Sequence, residues 1–373
     1  MRLTIDRESF LKALNNASHA IAPKNPLQVL SNFKLELNER GLDVIGSNNE
    51  ITVRSTVPYI LGERQIITNP VLGSSLINAH LLAEAVRKIE GTTVFLDVVD
   101  NAIAKITDGK TEYKLFCAPA DEYPDINLDV TGTELAIPCS ALNDLVSQSA
   151  FAASAKEQRP VLAAVNLEAG DGKLVAMATD SARLAWKSVK IDSDVRFRTN
   201  IPAKVMLEIV RLMEGATEAR IYISDKKALF VFDQTVVSTR LIPGDYPVKH
   251  SVFPTICNYR LQVNSQELLN AMSRIAILSA DKEYVVKLSM SEDHVDVSVK
   301  SDRHGSGDEP IKMFTYEGDR LEVSFNSLFV IDAIKALRGD DVTINFQADD
   351  KPFVIKNPKD DSAVELITPM RAR

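Results

Sequence analysis

A helical pattern recurs three times along this chain at a fixed interval of 124 residues, and a chain built that way has few folds open to it. The segment Ile77 to Gly91, INAHLLAEAVRKIEG, returns as Ile201 to Gly215, IPAKVMLEIVRLMEG, and again as Phe325 to Gly339, FNSLFVIDAIKALRG. The agreement is one of physical roles. Apolar side chains at Ile77, Leu81, Leu82, Ala85, Val86 and Ile89 recur at the spacing of one helix face. An acid at Glu84, Glu208 and Asp332 is followed three residues later by a base at Arg87, Arg211 and Lys335. Each copy opens on a helix-starting residue, Asn78, Pro202 or Asn326, and closes on a glycine suited to a left-handed C-terminal cap. Three helices of one design at equal spacing imply three copies of one domain.

A second helix design alternates with the first, so the repeating unit is half a domain. Each unit begins with a short strand whose last apolar residue precedes a capping or helix-starting residue. The six junctions are Ile5-Asp6, Ile77-Asn78, Ile137-Pro138, Ile201-Pro202, Val263-Asn264 and Phe325-Asn326. The intervening helices carry stripes of their own at Phe10, Leu11 and Leu14, at Leu142, Leu145 and Val146, and at Leu268, Leu269 and Met272. Period-two alternation after each helix predicts strands, among them Phe33 to Leu37, Leu42 to Ile45, Val94 to Val98, Val165 to Leu167, Leu174 to Met177, Ile221 to Ile223, Val286 to Met290, Val295 to Val299 and Val342 to Phe346. Turns such as Asn38-Glu39-Arg40-Gly41 and Ala169-Gly170-Asp171-Gly172 join neighbours as hairpins. One helix followed by hairpin-linked strands gives antiparallel sheet, hence an α+β fold of three tandem domains with two helices each. The pattern resets after the matching segments Ala120 to Pro124 and Pro243 to Pro247, which sets the domains at 1–130, 131–256 and 257–373.

Composition narrows the function by exclusion. No apolar run approaches the ~18 residues of a membrane span, and Met1 to Phe10 has no signal-peptide core. Cys117, Cys139 and Cys257 are scattered, so neither a disulfide framework nor a zinc site is expected, and a reducing cytoplasm is the expected location. The net charge of −8 argues at first against nucleic acid, although an acidic chain can still carry a basic face.

Motifs for chemistry are wanting. The histidines His19, His80, His250, His294 and His304 show no paired spacing, and Gly305 and Gly307 belong to no phosphate-binding loop. The run Glu292-Asp293-His294-Val295-Asp296 reads better as a solvated strand edge than as metal ligands, and Asp180-Ser181-Ala182-Arg183 offers no base close in sequence to activate Ser181. Neither catalysis nor a cofactor nor a metal is expected. What the repeated helices can do is line a surface, since their non-core faces and flanks carry Lys12, Lys24, His80, Arg87, Lys88, Lys156, Lys204, Arg211, Arg274, Lys335 and Arg338. One account makes Glu84 with Arg87, Glu208 with Arg211 and Asp332 with Lys335 ordinary i, i+3 pairs worth a few tenths of a kcal/mol. The other takes the base kept at one rotational position in all three copies as a shared cationic surface.

Over its full length the chain resembles the bacterial beta sliding clamps, the processivity subunits of the replicative polymerase. The likeness rests on AFAASAKEQRPVL (Ala150 to Leu162), ATDSARLA (Ala178 to Ala185), LIPGDYP (Leu241 to Pro247) and LITPMR (Leu366 to Arg371) together with the threefold repeat. It implies a head-to-tail homodimer that rings duplex DNA without reading sequence, with helices inside and sheets outside. Helices 8 to 10 Å apart agree: six span about 50 to 60 Å and close a hole of roughly 17 Å, too narrow for duplex, while twelve leave roughly 35 Å. The resemblance also implies a groove for short Leu/aromatic peptide motifs of the polymerase, the clamp loader and other clients. It places that groove at Leu162, Thr179, Ser181, Arg183, Leu184, Pro247, Val252, Leu366, Ile367, Thr368, Pro369, Met370 and Arg371. Three places depart from the family pattern: Ala182 stands where many members have His, Ser301 to Pro310 does not follow the usual loop, and the ending Ala372-Arg373 is atypical. The alternative function is a repeat-built peptide-binding adaptor without topological linkage to DNA.

Overall fold

The computed structural model describes residues 1–370 apart from 26, 157, 249–251, 255, 279–283 and 302. Among them are six α-helices: α1 (Arg7–Ser18), α2 (Ala79–Lys88), α3 (Cys139–Ser147), α4 (Ala203–Leu212), α5 (Ser265–Ile275) and α6 (Ser327–Leu337). Each follows directly on a strand, the six being Arg2–Asp6, Gly73–Asn78, Thr133–Pro138, Phe197–Pro202, Tyr259–Asn264 and Leu321–Asn326. The six junctions expected from sequence are the last two residues of those strands. Side-chain oxygens supply the reason at four of them: Asp6, Asn78, Asn264 and Asn326 accept the backbone N–H groups of Ser9, Leu81, Glu267 and Leu328 at 2.9 to 3.0 Å. Pro138 and Pro202 occupy the same place in the other two, where a missing N–H costs the helix nothing.

The helix ends depart from the expected glycine caps. Only Gly215 takes a left-handed φ, of 85°, whereas in the third copy Arg338 does so at 50°. Gly91 and Gly339 are needed for closeness instead. A Cβ on Gly91 would meet Asp108 Cβ at 2.8 Å, and one on Gly339 would meet the Asp341 carbonyl at 2.7 Å. The α2 stripe is also narrower than expected. Leu82, Ala85, Val86 and Ile89 are buried, but Leu81 is 52% exposed, because a residue one step from Leu82 lies some 100° around the helix.

The chain packs as two compact units, residues 1–139 with 208–241 and residues 140–207 with 242 onward. The first holds a thirteen-stranded antiparallel sheet. Its N-terminal strands pass into the middle of the chain where Thr235–Arg240 pairs with Ile51–Pro58, Val237 opposite Val53. α1 and α2 pack on it through Phe10, Leu14, Leu82 and Val86 against Phe33, Leu35, Val44, Leu96 and Ile106. In the second unit a nine-stranded sheet is joined the same way, Arg183–Lys190 pairing with Asp360–Ile367 so that Leu184 lies opposite Leu366. Its core gathers Leu268, Met272, Val330 and Ile334 from α5 and α6 over Phe325, Phe346 and Phe353, the Phe353 ring lying 5.4 Å from that of Phe325 and 5.0 Å from that of Phe346.

A four-stranded sheet completes the second unit and corrects one expectation. Much of the stretch 301–310, read as a loop, is the edge strand Gly305–Ile311, paired with His294–Ser301 so that Glu309 faces Val297. Gly307 allows it to lie close under α5, since a Cβ there would stand 3.0 Å from Leu278 Cδ1 and 3.4 Å from Ile275 Cδ1. Among the described residues no helix is long and apolar enough to cross a membrane.

Candidate functional site

The site is built around a hairpin turn in the second unit. The strands Lys173–Thr179 and Arg183–Lys190 are joined through Asp180, Ser181 and Ala182. Thr179 Oγ1 accepts the Ser181 N–H at 3.1 Å and donates to the Arg183 carbonyl, while Asp180 Oδ1 accepts the N–H groups of Ala182 and Arg183 at 2.9 and 3.0 Å. A turn held by its own side chains is rigid without help from the rest of the fold.

Arg183 leaves this turn and ties three segments together. Its Nε donates to Asp180 at 3.1 Å, Nη1 to Asp332 on α6 at 2.7 Å and Nη2 to the Phe151 carbonyl at 2.8 Å. The guanidinium also lies 4.5 Å from the Phe329 ring centre. Sequence alone paired Asp332 with Lys335. In the structure Asp332 is taken by Arg183, a charge 149 residues away in sequence that no local pattern could reveal.

Beside the turn opens a cavity of about 500 Å³. Of the thirteen groove residues expected, Leu162, Thr179, Ser181, Arg183, Leu184, Pro247, Val252, Leu366 and Thr368 line it. Ile367 does not: it is buried in the helix-facing core, because successive strand residues point to opposite faces and Leu366 and Thr368 take the cavity side. Pro369 and Met370 also lie outside the lining; the tail turns away as the Met370 N–H donates to the Ser324 carbonyl at 2.7 Å. Arg371 falls outside the described residues, as does His250.

Six lining residues were missed: Arg159, Pro160, Val161, Asp245, Val248 and Pro352. Arg159 to Val161 had a signal in the quoted RPVL, since the proline begins a tight turn over Pro160–Ala163. Asp245 and Val248 flank the quoted Tyr246-Pro247, but Pro352 had none, arriving only through strand pairing. Beneath the cavity lies a small apolar cluster of Leu184, Val354, Val364 and Leu366 with Trp186, Val248 and Phe253 packed on it. The lining is mostly apolar and includes the charged Arg159, Asp245 and Arg183, a form suited to an anchored apolar side chain with polar groups nearby.

All eleven cationic positions expected on the helical faces are exposed. Four are engaged with carboxylates: Arg87 with Glu84, Arg211 with Glu208 at 2.7 Å, Arg274 with Glu309, and Arg338 with Asp144 at 2.7 Å. Glu208 also holds His19 at 2.8 Å. Lys12, Lys24, His80, Lys88, Lys156, Lys204 and Lys335 have no ion pair among the described residues. The i, i+3 account thus describes two of the three copies and leaves most of the cationic set unpaired. The Glu292 to Asp296 run forms a hairpin in which His294 Nε2 meets Asp296 at 3.1 Å, and among the described residues no group of three or more His, Cys, Asp and Glu is placed to hold a metal.

Three tandem domains of helices on antiparallel sheet, with unpaired cations on the helices and an apolar cavity beside a rigid turn, define a replication clamp subunit. The N-terminal, central and C-terminal domains of the DNA polymerase III beta subunit match residues 1–129, 136–248 and 250–371. The beta sliding clamp of Bacillus subtilis (strain 168) is 30% identical over 376 residues, covering all of both chains. The crystal structure of the DNA polymerase sliding clamp from Bacillus subtilis superposes with a TM-score of 0.96 at 29% identity, and that of the beta subunit from DNA polymerase of Streptococcus pyogenes with 0.94 at 26%, each covering 100% of both chains. The chain belongs to the beta sliding clamp family, and its role is that of a DNA polymerase processivity factor.

Proposed function

We propose that two copies of this chain close head to tail into a ring around duplex DNA, and that the cavity tethers the polymerase, the clamp loader and other clients by short Leu/aromatic peptides. The observation that carries the DNA part is the exposure of all eleven cations on or beside the helices of an otherwise acidic chain. Such contacts track phosphates and carry no base information. For closure, the first unit offers Glu112 to Phe116, paired on one side only among the described residues, with Phe116, Ile103 and Val99 exposed in one cross-strand row. The second unit offers the edge strand Gly305–Ile311 beside Ile277, and a heterologous contact between unlike surfaces closes by rotation. We place the domain boundaries near residues 130 and 256 and the protein in the cytoplasm, where its three free thiols stay reduced.

The test is topological. Protein loaded on nicked circular duplex should be retained through gel filtration and lost once the circle is cut, because a ring slides off free ends. Retention on the linear form removes the encircling mechanism and leaves a peptide-binding adaptor.

A further inference from the structure

The cavity turn has a counterpart in the first unit, and the two differ in one telling respect. At 47–51 Ser47 Oγ accepts the Asn49 N–H at 3.2 Å, and Asn48 Oδ1 accepts those of Glu50 and Ile51 at 3.0 Å each. At 179–183 Thr179 and Asp180 make the same three bonds. Both turns force their central residue into the left-handed region, Asn49 at φ 79° and Ser181 at φ 81°. Asparagine is among the few residues that accept this conformation, and serine is not. The chain therefore carries the costlier residue at the one of these two turns that borders the cavity.

Within the cavity turn every other side chain able to hydrogen-bond is already engaged: Thr179 with the Arg183 carbonyl, Asp180 with backbone and guanidinium, Arg183 with Asp180, Asp332 and Phe151. The Ser181 hydroxyl is exposed on the lining and has no partner among the described residues. A strained backbone position that holds a free donor and acceptor on a cavity wall is how a binding site stores orientation.

We infer that the Ser181 hydroxyl is a specificity-determining group of the cavity, held in the left-handed conformation so that it hydrogen-bonds a main-chain amide of the bound peptide. This rests on the peptide-binding reading above. The hydroxyl can donate to a ligand carbonyl or accept from a ligand N–H, so it fixes the register of the backbone while the apolar walls select the side chains.

The experiment uses the full chain and a fluorescent synthetic peptide containing Leu and an aromatic residue, read by anisotropy, with thermal melting alongside. Ser181→Ala keeps the Cβ and the turn but removes the hydroxyl; Ser181→Gly removes both hydroxyl and strain. Both are expected to bind the peptide about five-fold more weakly, the worth of one net hydrogen bond. Ser181→Gly is expected to melt higher than the unaltered chain, so that stability rises as affinity falls. Unchanged affinity in both variants overturns the inference while leaving the cavity reading intact. Absence of binding by the unaltered chain, with Leu366→Ala equally silent, overturns the cavity reading and this inference with it.

Discussion

At the residue scale, identical positions in a repeat need not do identical work. Asp332 and Lys335 occupy the places of Glu84 and Arg87, yet Asp332 serves Arg183 and Lys335 stands in solvent. Asp332→Asn is expected to cost about 1 kcal/mol in urea unfolding, since it weakens a charged bond to a mostly buried guanidinium. Lys335→Ala should stay within ~0.5 kcal/mol. Glu365 carries a second residue-scale consequence. It is buried in the strand Asp360–Ile367 with no hydrogen-bond partner for Oε1 among the described residues, and burial pushes its carboxyl well above the ordinary value of 4.5 against the pull of Arg183 and Lys187. The folded chain then keeps a proton that the unfolded chain releases near 4.5, so this group withdraws stability as pH rises from there. Glu365→Gln should melt higher than the unaltered chain by ~2–4 °C near pH 8, with the gap closing toward its unfolded value. A constant gap across that range rules out the neutral carboxyl.

At the scale of elements, the strand Asp360–Ile367 matters more to the cavity than the tail beyond it. Leu366 and Thr368 are held by pairing with Arg183–Lys190 and by the Thr368 N–H on the Ala182 carbonyl at 2.9 Å. Pro369 and Met370 turn away from the cavity, the Met370 N–H donating to the Ser324 carbonyl. Deleting 369–373 should therefore weaken peptide binding by less than about ten-fold, whereas Leu366→Ala, which removes wall and cluster together, should weaken it by more. Equal losses in the two variants by anisotropy would show the tail to be a wall after all.

At the scale of the molecule, assembly is the property most open to a single change. Phe116 is 88% exposed on a half-paired strand and Ile277 is 79% exposed at the end of α5 in sequence. Phe116→Asp places an unpaired charge in the proposed contact and should convert a particle of twice 41.1 kDa into one of 41.1 kDa by light scattering, with the monomer still unfolding cooperatively but without the dimer's concentration-dependent melting temperature. An unaltered dimer mass would move the contact elsewhere. Reversing Arg87 and Arg211 to Glu alters four cations in a ring of two copies and should lower DNA affinity and reduce the slope of its logarithm against log salt by up to about 4 while leaving the dimer intact.

Much of this protein was written locally. The threefold interval, the six strand-to-helix junctions and the alternating strands follow from periodicity and from capping residues such as Asn78 and Asn326, because a helix start needs only a side-chain oxygen two or three residues from an N–H. Nine of the residues lining the cavity, from Leu162 to Thr368, are placed there by the family resemblance and not by any local pattern. What stayed hidden was set by partners distant in sequence: Arg183 on Asp332, Pro352 on the rim, Ile367 turned to the core, the stretch 305–311 drawn into a sheet under α5. The sequence by itself determined the repeating elements, whose hydrogen bonds close within a few residues. Only the tertiary structure decided which strand face and which charge met which, because those energies exist only once residues far apart in the chain share a wall.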